Sequence, residues 1–234
     1  IILEVTGVER KVVEKWLYVE TGLVLFTGLV GTGHHYYWIG SPDYWLWWGG
    51  IFSAMEPIPI ALMVLDTWMH IRDRKNPVVN PLLWTYIMVM AVFHFLGAGV
   101  FGFIHTLPSI NYYTHGSQVT VSHGHLAFFG AYALLNLTVF YFAIPQLKGI
   151  KKFNDRLGVW GLWVMVTAMI FMGVVFGVAG VLQTYLERIL DIGYSTAHMS
   201  MMFWFKVVLF FGVIFLSGVL LTVYHLFTLK KAAD

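Results

Sequence analysis

The chain has 234 residues, 59% of them hydrophobic and 11% charged, with 14 Lys/Arg against 12 Asp/Glu for a formal net charge of +2. An ordinary soluble domain carries charge on about a quarter of its residues, so this composition excludes one, and the near-balance of charge gives nucleic acid no footing as a partner. The absence of cysteine excludes iron–sulfur clusters, thiolate haem ligands and C-x-x-C-H haem attachment within this chain.

Apolar runs long enough to cross a bilayer recur along the sequence. Six spans are predicted, near Glu14–Gly33, Tyr44–Met69, Leu82–Ile104, Gln118–Ile144, Leu157–Tyr185 and Met199–Phe227. The expected fold class is all-α: a polytopic membrane helical bundle, one transmembrane domain over residues 1–234, embedded in a lipid bilayer. Short connections favour antiparallel neighbours, and Trp gathers near span ends as interfacial anchors. The chain opens on Ile1 without the charged and apolar succession of a signal peptide, so an upstream portion is expected.

Arg10, Lys11 and Lys15 precede the first span, Arg72, Arg74 and Lys75 follow the second, and Lys148, Lys151, Lys152 and Arg156 follow the fourth. With Lys230 and Lys231 at the close, all of these fall on one side of the six-span arrangement; Arg188 falls on the other and Lys206 inside a span. The positive-inside rule then puts both termini in the cytoplasm. The loops His34–Asp43, His105–Ser117 and Leu186–His198 share the opposite, outer face and hold most of the polar residues of interest.

In chain order, the first candidate is Thr32-Gly33-His34-His35-Tyr36-Tyr37 at the outer end of the first span. Adjacent residues on a regular helix diverge by about 100°, but a terminus that unwinds at Gly31 and Gly33 lets both rings turn toward one metal. Imidazole suits Fe, Cu and Zn alike; an interfacial pair bonded to water and headgroups is the other reading. Glu56, within Ser53-Ala54-Met55-Glu56-Pro57-Ile58-Pro59, lies roughly 10–20 Å below the outer face at about 1.5 Å per residue. A carboxylate there marks a metal, a proton path or a counter-ion, unless it is a neutral group locking helices together. The two prolines loosen backbone bonding and make room for a cavity.

Glu20 and Asp66 lie near enough to the cytoplasmic side to be solvated, and Lys206 snorkels, meets a carboxylate or belongs to a proton path. His94 and His105 flank Gly97-Ala98-Gly99 and Gly102, a small-residue face for close helix packing. The loop Asn111-Tyr112-Tyr113-Thr114-His115 is placed to bind haem propionates or to act as an ordinary capped loop. His70, His198 and His225 sit near span ends and are expected at the interface. Met165, Met169, Met172 and Met199 to Met202 belong to core or lipid contact.

The stretch Val121-Ser122-His123-Gly124-His125-Leu126-Ala127-Phe128 carries the sharpest signal. Positions i and i+2 of a helix point about 200° apart, so the two imidazoles leave opposite sides and can ligate two different haems. Gly124 removes a side chain where flat macrocycles approach. Two histidines hydrogen-bonded in a polar interface would be the bland alternative.

Five motifs in order, Gly31-Thr-Gly-His-His-Tyr-Tyr-Trp-Ile-Gly40, Phe52-Ser-Ala-Met-Glu-Pro57, Gly97-Ala-Gly-Val-Phe-Gly102, Asn111-Tyr-Tyr-Thr-His-Gly116 and Ser122-His-Gly-His-Leu-Ala127, give the chain a family likeness. It resembles the second half of the catalytic subunit of bacterial nitric oxide reductase, a branch of the haem–copper oxidase superfamily whose subunit I folds as twelve helices. The resemblance implies His34 and His35 as two ligands of the non-haem iron FeB and His123 as proximal ligand of the high-spin haem b3. It also implies His125 as an axial ligand of the low-spin haem b and Glu56 as the active-site glutamate beside FeB. Calcium near the haem propionates belongs to the same set of expectations. The implied reaction is 2 NO + 2 e⁻ + 2 H⁺ → N₂O + H₂O in the bacterial cytoplasmic (inner) membrane, with a cytochrome c subunit or a quinol as electron donor. A third FeB histidine, a ligating glutamate and the second axial ligand of haem b are missing, so the remaining N-terminal helices are expected as a partner. Competing readings are a terminal oxygen reductase with copper, a relative that dismutates NO, a b-type electron-transfer cytochrome, and a haem-free transporter.

Overall fold

The structure is a computed structural model describing residues 1–8 and 10–230; the side chains of residues 3, 10–17, 20 and 31 lie outside that description. The expectations resting on the side chains of Arg10, Lys11, Lys15 and Glu20, and on Lys231, therefore fall outside the described residues.

Among those residues the chain is helical without strands. A short α1 (Ile2–Thr6) precedes α2 (Arg10–Gly31), which tightens into a 3₁₀ turn over Thr32–Tyr36. Then come α3 (Tyr44–Ser53) and α4 (Pro57–Arg72), split by a three-residue turn. The next long segment is α5 (Pro81–Phe93), a π-helix over His94–Phe101, and α6 (Gly102–Thr106). A loop helix α7 (Pro108–Thr114) leads to α8 (Gln118–Phe128), a second π-helix over Phe129–Leu134, and α9 (Leu135–Leu147). α10 (Arg156–Thr184) ends in a π turn over Tyr185–Ile189, and α11 (Tyr194–Ser200) precedes α12 (Met202–Thr228). Pro57, Pro81 and Pro108 each open a helix, where proline's fixed φ and missing N–H cost nothing. Ser117 caps α8, its side chain accepting from the Val119 N–H.

Five segments are long and apolar enough to cross a membrane: Tyr44–Arg72, Pro81–Thr106, Gln118–Leu147, Arg156–Ile189 and Met202–Thr228. They correspond to the last five predicted spans. The first predicted span is helical, as α2, but it is not one of the five among the described residues. The cause is legible in α2 itself: Arg10, Lys11, Glu14, Lys15 and Glu20 occupy its first half, which leaves the apolar stretch to residues 21–31.

Successive segments pack side by side, α2 on α3 and α4, α4 on the first π-helix, that π-helix on α8, and α8 on α10, which also carries α12. Glycines set the closest approaches. An added Cβ at Gly180 would run into the Val119 nitrogen, and one at Gly161 into the Thr222 hydroxyl, so α10 meets both neighbours backbone to backbone. The core gathers Leu82, Tyr86, Ile87, Phe93, Phe129, Leu134, Tyr141, Leu162 and Met165 between α5, α9 and α10. Phe203, Leu209, Phe210, Leu220 and Phe227 of α12 stay exposed, as befits a lipid-facing surface.

Three residues assigned by sequence position to water or the interface are instead covered. His225 is buried: its Nε2–H donates to the Asn154 carbonyl at 2.8 Å, and Tyr141 Oη lies 2.8 Å from its Nδ1. His70 is buried with Nδ1 2.6 Å from the Asp66 carbonyl, and Asp66 itself is only 19% exposed. Nearness to a helix end says how deep a residue lies, not which neighbour covers it. His198, half-buried against Glu187 at 3.6 Å, and the exposed Lys206 fit their expected places.

Candidate functional site

His34 and His35 sit in the 3₁₀ turn that ends α2. The terminus tightens rather than unwinds, because Gly33 and Gly49 of α3 touch. A Cβ at Gly49 would stand 2.5 Å from the Gly33 carbonyl carbon, and one at Gly33 2.6 Å from the Trp45 ring. That contact presses the turn onto α3 and brings His34 Nδ1 to 2.6 Å from Ser53 Oγ. The two imidazoles lie side by side, ring centroids 4.0 Å apart and tilted by 37°.

The turn is pinned to Thr106 at the end of α6 and to Asn111 within α7. Tyr37 is 1% exposed and its hydroxyl donates to the Thr106 carbonyl at 3.1 Å; burial pushes its phenol up to about 12. Trp38 Nε1–H donates to Asn111 Oδ1 at 2.9 Å, and Asn111 Nδ2–H donates to the His105 carbonyl at 2.8 Å. Asn111, a candidate for holding propionates, thus has both ends of its amide engaged within the protein. Trp38 has φ +62°, a left-handed conformation costly for a bulky side chain and sustained only when its surroundings fix it.

Glu56 closes the turn between α3 and α4, its N–H bonded to the Ser53 carbonyl at 3.0 Å. It lines a cavity of about 420 Å³ with Thr27, Pro59, Ile60, Met63, His94 and Tyr132. Of the two prolines, Pro59 lines the cavity. His94, expected on a packing face, shares this cavity.

His123 and His125 leave α8 on different sides. His123 turns toward the first π-helix, where its Nδ1–H donates to the Gly97 carbonyl at 2.9 Å and its ring stacks on His105, centroids 5.1 Å apart and 21° from parallel. His125 bonds its own helix, Nδ1–H to the Val121 carbonyl at 2.9 Å, and rests on Phe176 of α10 at 4.7 Å. It lines an apolar hollow of about 450 Å³ with Gly124, Phe128, Phe129, Met169 and Phe215.

These features test whether the histidines fit haem. A carbonyl can only accept, so both Nδ1 atoms carry the proton and both Nε2 atoms keep a lone pair, the tautomer an axial ligand needs. A Cβ at Gly124 would meet nothing within 4 Å, and one at Gly102 would stand 3.5 Å from His123 Cε1, so neither approach is blocked. The residues fit. His34 and His35 alone do not make a metal site: no group of three or more His, Asp or Glu side chains among the described residues is arranged to hold a metal ion.

Neither His105 nor His94 stands out as a site residue in the sequence. The available signal is weak: two histidines on a small-residue helix face, whose partners lie on other helices.

Residues 1–215 match the family described as cytochrome c and quinol oxidase polypeptide I. The chain is 44% identical to a nitric oxide reductase subunit of Stutzerimonas stutzeri across 96% of its own length and 49% of that protein. It is 28% identical to a cytochrome c oxidase subunit 1 homolog of Agrobacterium tumefaciens (strain T37) across 82% of its length and 37% of that protein. The chain thus spans about half the length, or less, of these relatives. With a family match over nearly all its residues and the histidine-bearing helices arranged as described, the chain belongs to the cytochrome c and quinol oxidase polypeptide I family.

Proposed function

We propose that this chain is the haem-bearing second half of the catalytic subunit of a membrane nitric oxide reductase, catalysing 2 NO + 2 e⁻ + 2 H⁺ → N₂O + H₂O. The single observation that carries the proposal is the pair His123 and His125, with Nε2 lone pairs presented from two sides of one helix. The 44% identity to the nitric oxide reductase subunit of Stutzerimonas stutzeri supports the choice of substrate.

His123 holds haem b3 and His125 the low-spin haem b, while His34 and His35 supply two ligands to the non-haem iron FeB. Bound together, these groups supply electron transfer and the coordination site for NO. The chain's own residues then do three things. The Gly97 and Val121 carbonyls fix the imidazole tautomers and so the direction of ligation. Ile60 and Met63 give the cavity around Glu56 apolar walls beside the polar Thr27, His94 and Tyr132. Glu56 holds and releases a proton at its carboxylate oxygens toward that cavity, which suits a reaction consuming two protons.

The missing helices, on the same polypeptide or another, bring the third FeB histidine, a ligating glutamate and the second haem b ligand. α2 is a sixth span, both ends of the chain face the bacterial cytoplasm, and calcium binds near the haem propionates. The donor is a cytochrome c subunit or a quinol.

A terminal oxygen reductase is the second reading, favoured by the likeness to a cytochrome c oxidase subunit 1 homolog. The complex, purified through a tag on this chain, decides. NO consumption with iron and no copper in the metal analysis is the expected result. Oxygen consumption with stoichiometric copper would favour the oxidase. His123→Ala is expected to remove the NO-reactive haem signal and His125→Ala the low-spin one; unchanged spectra in both would overturn the assignment.

A further inference from the structure

The His105 ring is buried, and its polar atoms account for little of its placement. Nδ1–H donates to the Phe101 carbonyl of its own helix at 2.9 Å, a local bond, and the buried Nε2 has no hydrogen-bond partner. An imidazole kept inside a protein with one nitrogen unsatisfied is less favourable there than an apolar ring. The contact this ring makes with another helix is the near-parallel stack on His123.

Three further observations hold the stack in place. Gly97 and Phe101, whose carbonyls receive the two Nδ1–H groups, are four residues apart on one helical segment, and that spacing lines the two rings up along it. The backbone of His105 is held by Asn111, and Asn111 by Trp38. Trp38 is strained at φ +62° and stands only three residues after His35, so the tether starts at the His34-His35 turn and ends at His123.

We propose that His105 is a positioning residue for the His123 site, fixing the plane of the His123 imidazole by stacking, with Asn111 and Trp38 as its tether. The carbonyl of Gly97 sets where His123 Nδ1 points; a flat ring alongside sets how the imidazole is rotated about that bond. Residues that orient a metal-ligating histidine in this way change affinity or activity by about 10- to 100-fold when lost. The inference rests on the proposed assignment of His123 as a haem ligand.

The test is resonance Raman spectroscopy of the reduced complex, reading the iron–histidine stretching band of the haem held by His123. His105→Ala is expected to shift or broaden that band and to lower NO turnover about 10-fold. His105→Phe keeps a flat ring in place and is expected to restore the band to its native position. Asn111→Leu leaves both histidines in the chain while cutting the tether, and should move the band in the same direction by less. If His105→Ala fails to assemble, Asn111→Leu and His105→Phe carry the comparison. A native band in Asn111→Leu, or a band displaced as far in His105→Phe as in His105→Ala, overturns the positioning role while leaving the haem assignment intact. Retention of the band in His123→Ala instead overturns the haem assignment, and the inference with it.

Discussion

Gly97→Ala should damage this protein far more than one methyl group suggests. The added Cβ would lie 2.5 Å from both the Ala127 nitrogen and the Leu126 carbonyl carbon, whereas ordinary contact begins at 3.4 Å. The obstacles are backbone atoms, so no rotamer change relieves them; the first π-helix and α8 must separate by about 0.9 Å. The His123 Nδ1 bond to the Gly97 carbonyl would then stretch from 2.9 Å toward 3.8 Å, past the ~3.2 Å limit of a useful N–H···O bond. Overpacking of a filled interface costs about 1–3 kcal/mol and the lost bond about 1 kcal/mol, together about 2–4 kcal/mol. At about 2–4 °C per kcal/mol for a chain of this size, the melting midpoint should fall by roughly 4–16 °C. Gly212→Ala is the control, because a Cβ there meets nothing within 4 Å. Both variants would be melted in the purified complex under identical detergent conditions. Equal midpoints for Gly97→Ala and Gly212→Ala would refute the claim that the crossing of the first π-helix on α8 depends on backbone contact.

Gly124→Leu separates folding from cofactor binding: the site is open in the protein and leucine is the better helix former by ~1 kcal/mol or less, so the melting midpoint should hold while haem per polypeptide falls, and undiminished haem content would count against macrocycles lying over this face. Tyr37 contributes to stability at alkaline pH. Its phenol titrates near 12 when folded against 10 when unfolded, so its contribution is complete below pH 10 and is lost as the pH climbs toward 12; Tyr37→Phe should flatten that part of the stability–pH curve, and an unchanged slope would show that another group causes it.

Much of the bundle was legible because apolar length and charge are one-dimensional properties. The second predicted span, Tyr44–Met69, became the helical segment Tyr44–Arg72, and the sixth, Met199–Phe227, became α12 with the short α11 before it. The divergence of His123 and His125 was legible for the same reason, since helical period alone sends i and i+2 to different sides. What escaped the sequence depends on contacts between helices. His105 meets His123 only after the π-helix over His94–Phe101 has reset the facing of the residues beyond it by part of a turn, and His94 meets the Glu56 cavity only because α2, α4 and α8 bring lining residues around it. The His34-His35 turn tightened because Gly33 found Gly49, sixteen positions away. His225 is interior because Tyr141 and Asn154 come to it from other elements.

The two halves of the His123-Gly124-His125 motif therefore stand on different supports. His125 donates its hydrogen bond to the Val121 carbonyl, one turn back on α8, and keeps its tautomer as long as α8 is a helix. His123 donates its hydrogen bond to the Gly97 carbonyl and stacks on His105, both beyond α8 on the segment that crosses it. Gly97 and Gly130 clamp that crossing from both sides, each glycine pressing on the partner's backbone. A change that loosens the crossing acts on His123 and leaves His125 with every bond it has. In the proposed assignment, one helix thus carries two haem ligands whose surroundings are set separately: His125 by local helix geometry, His123 by how two helices meet.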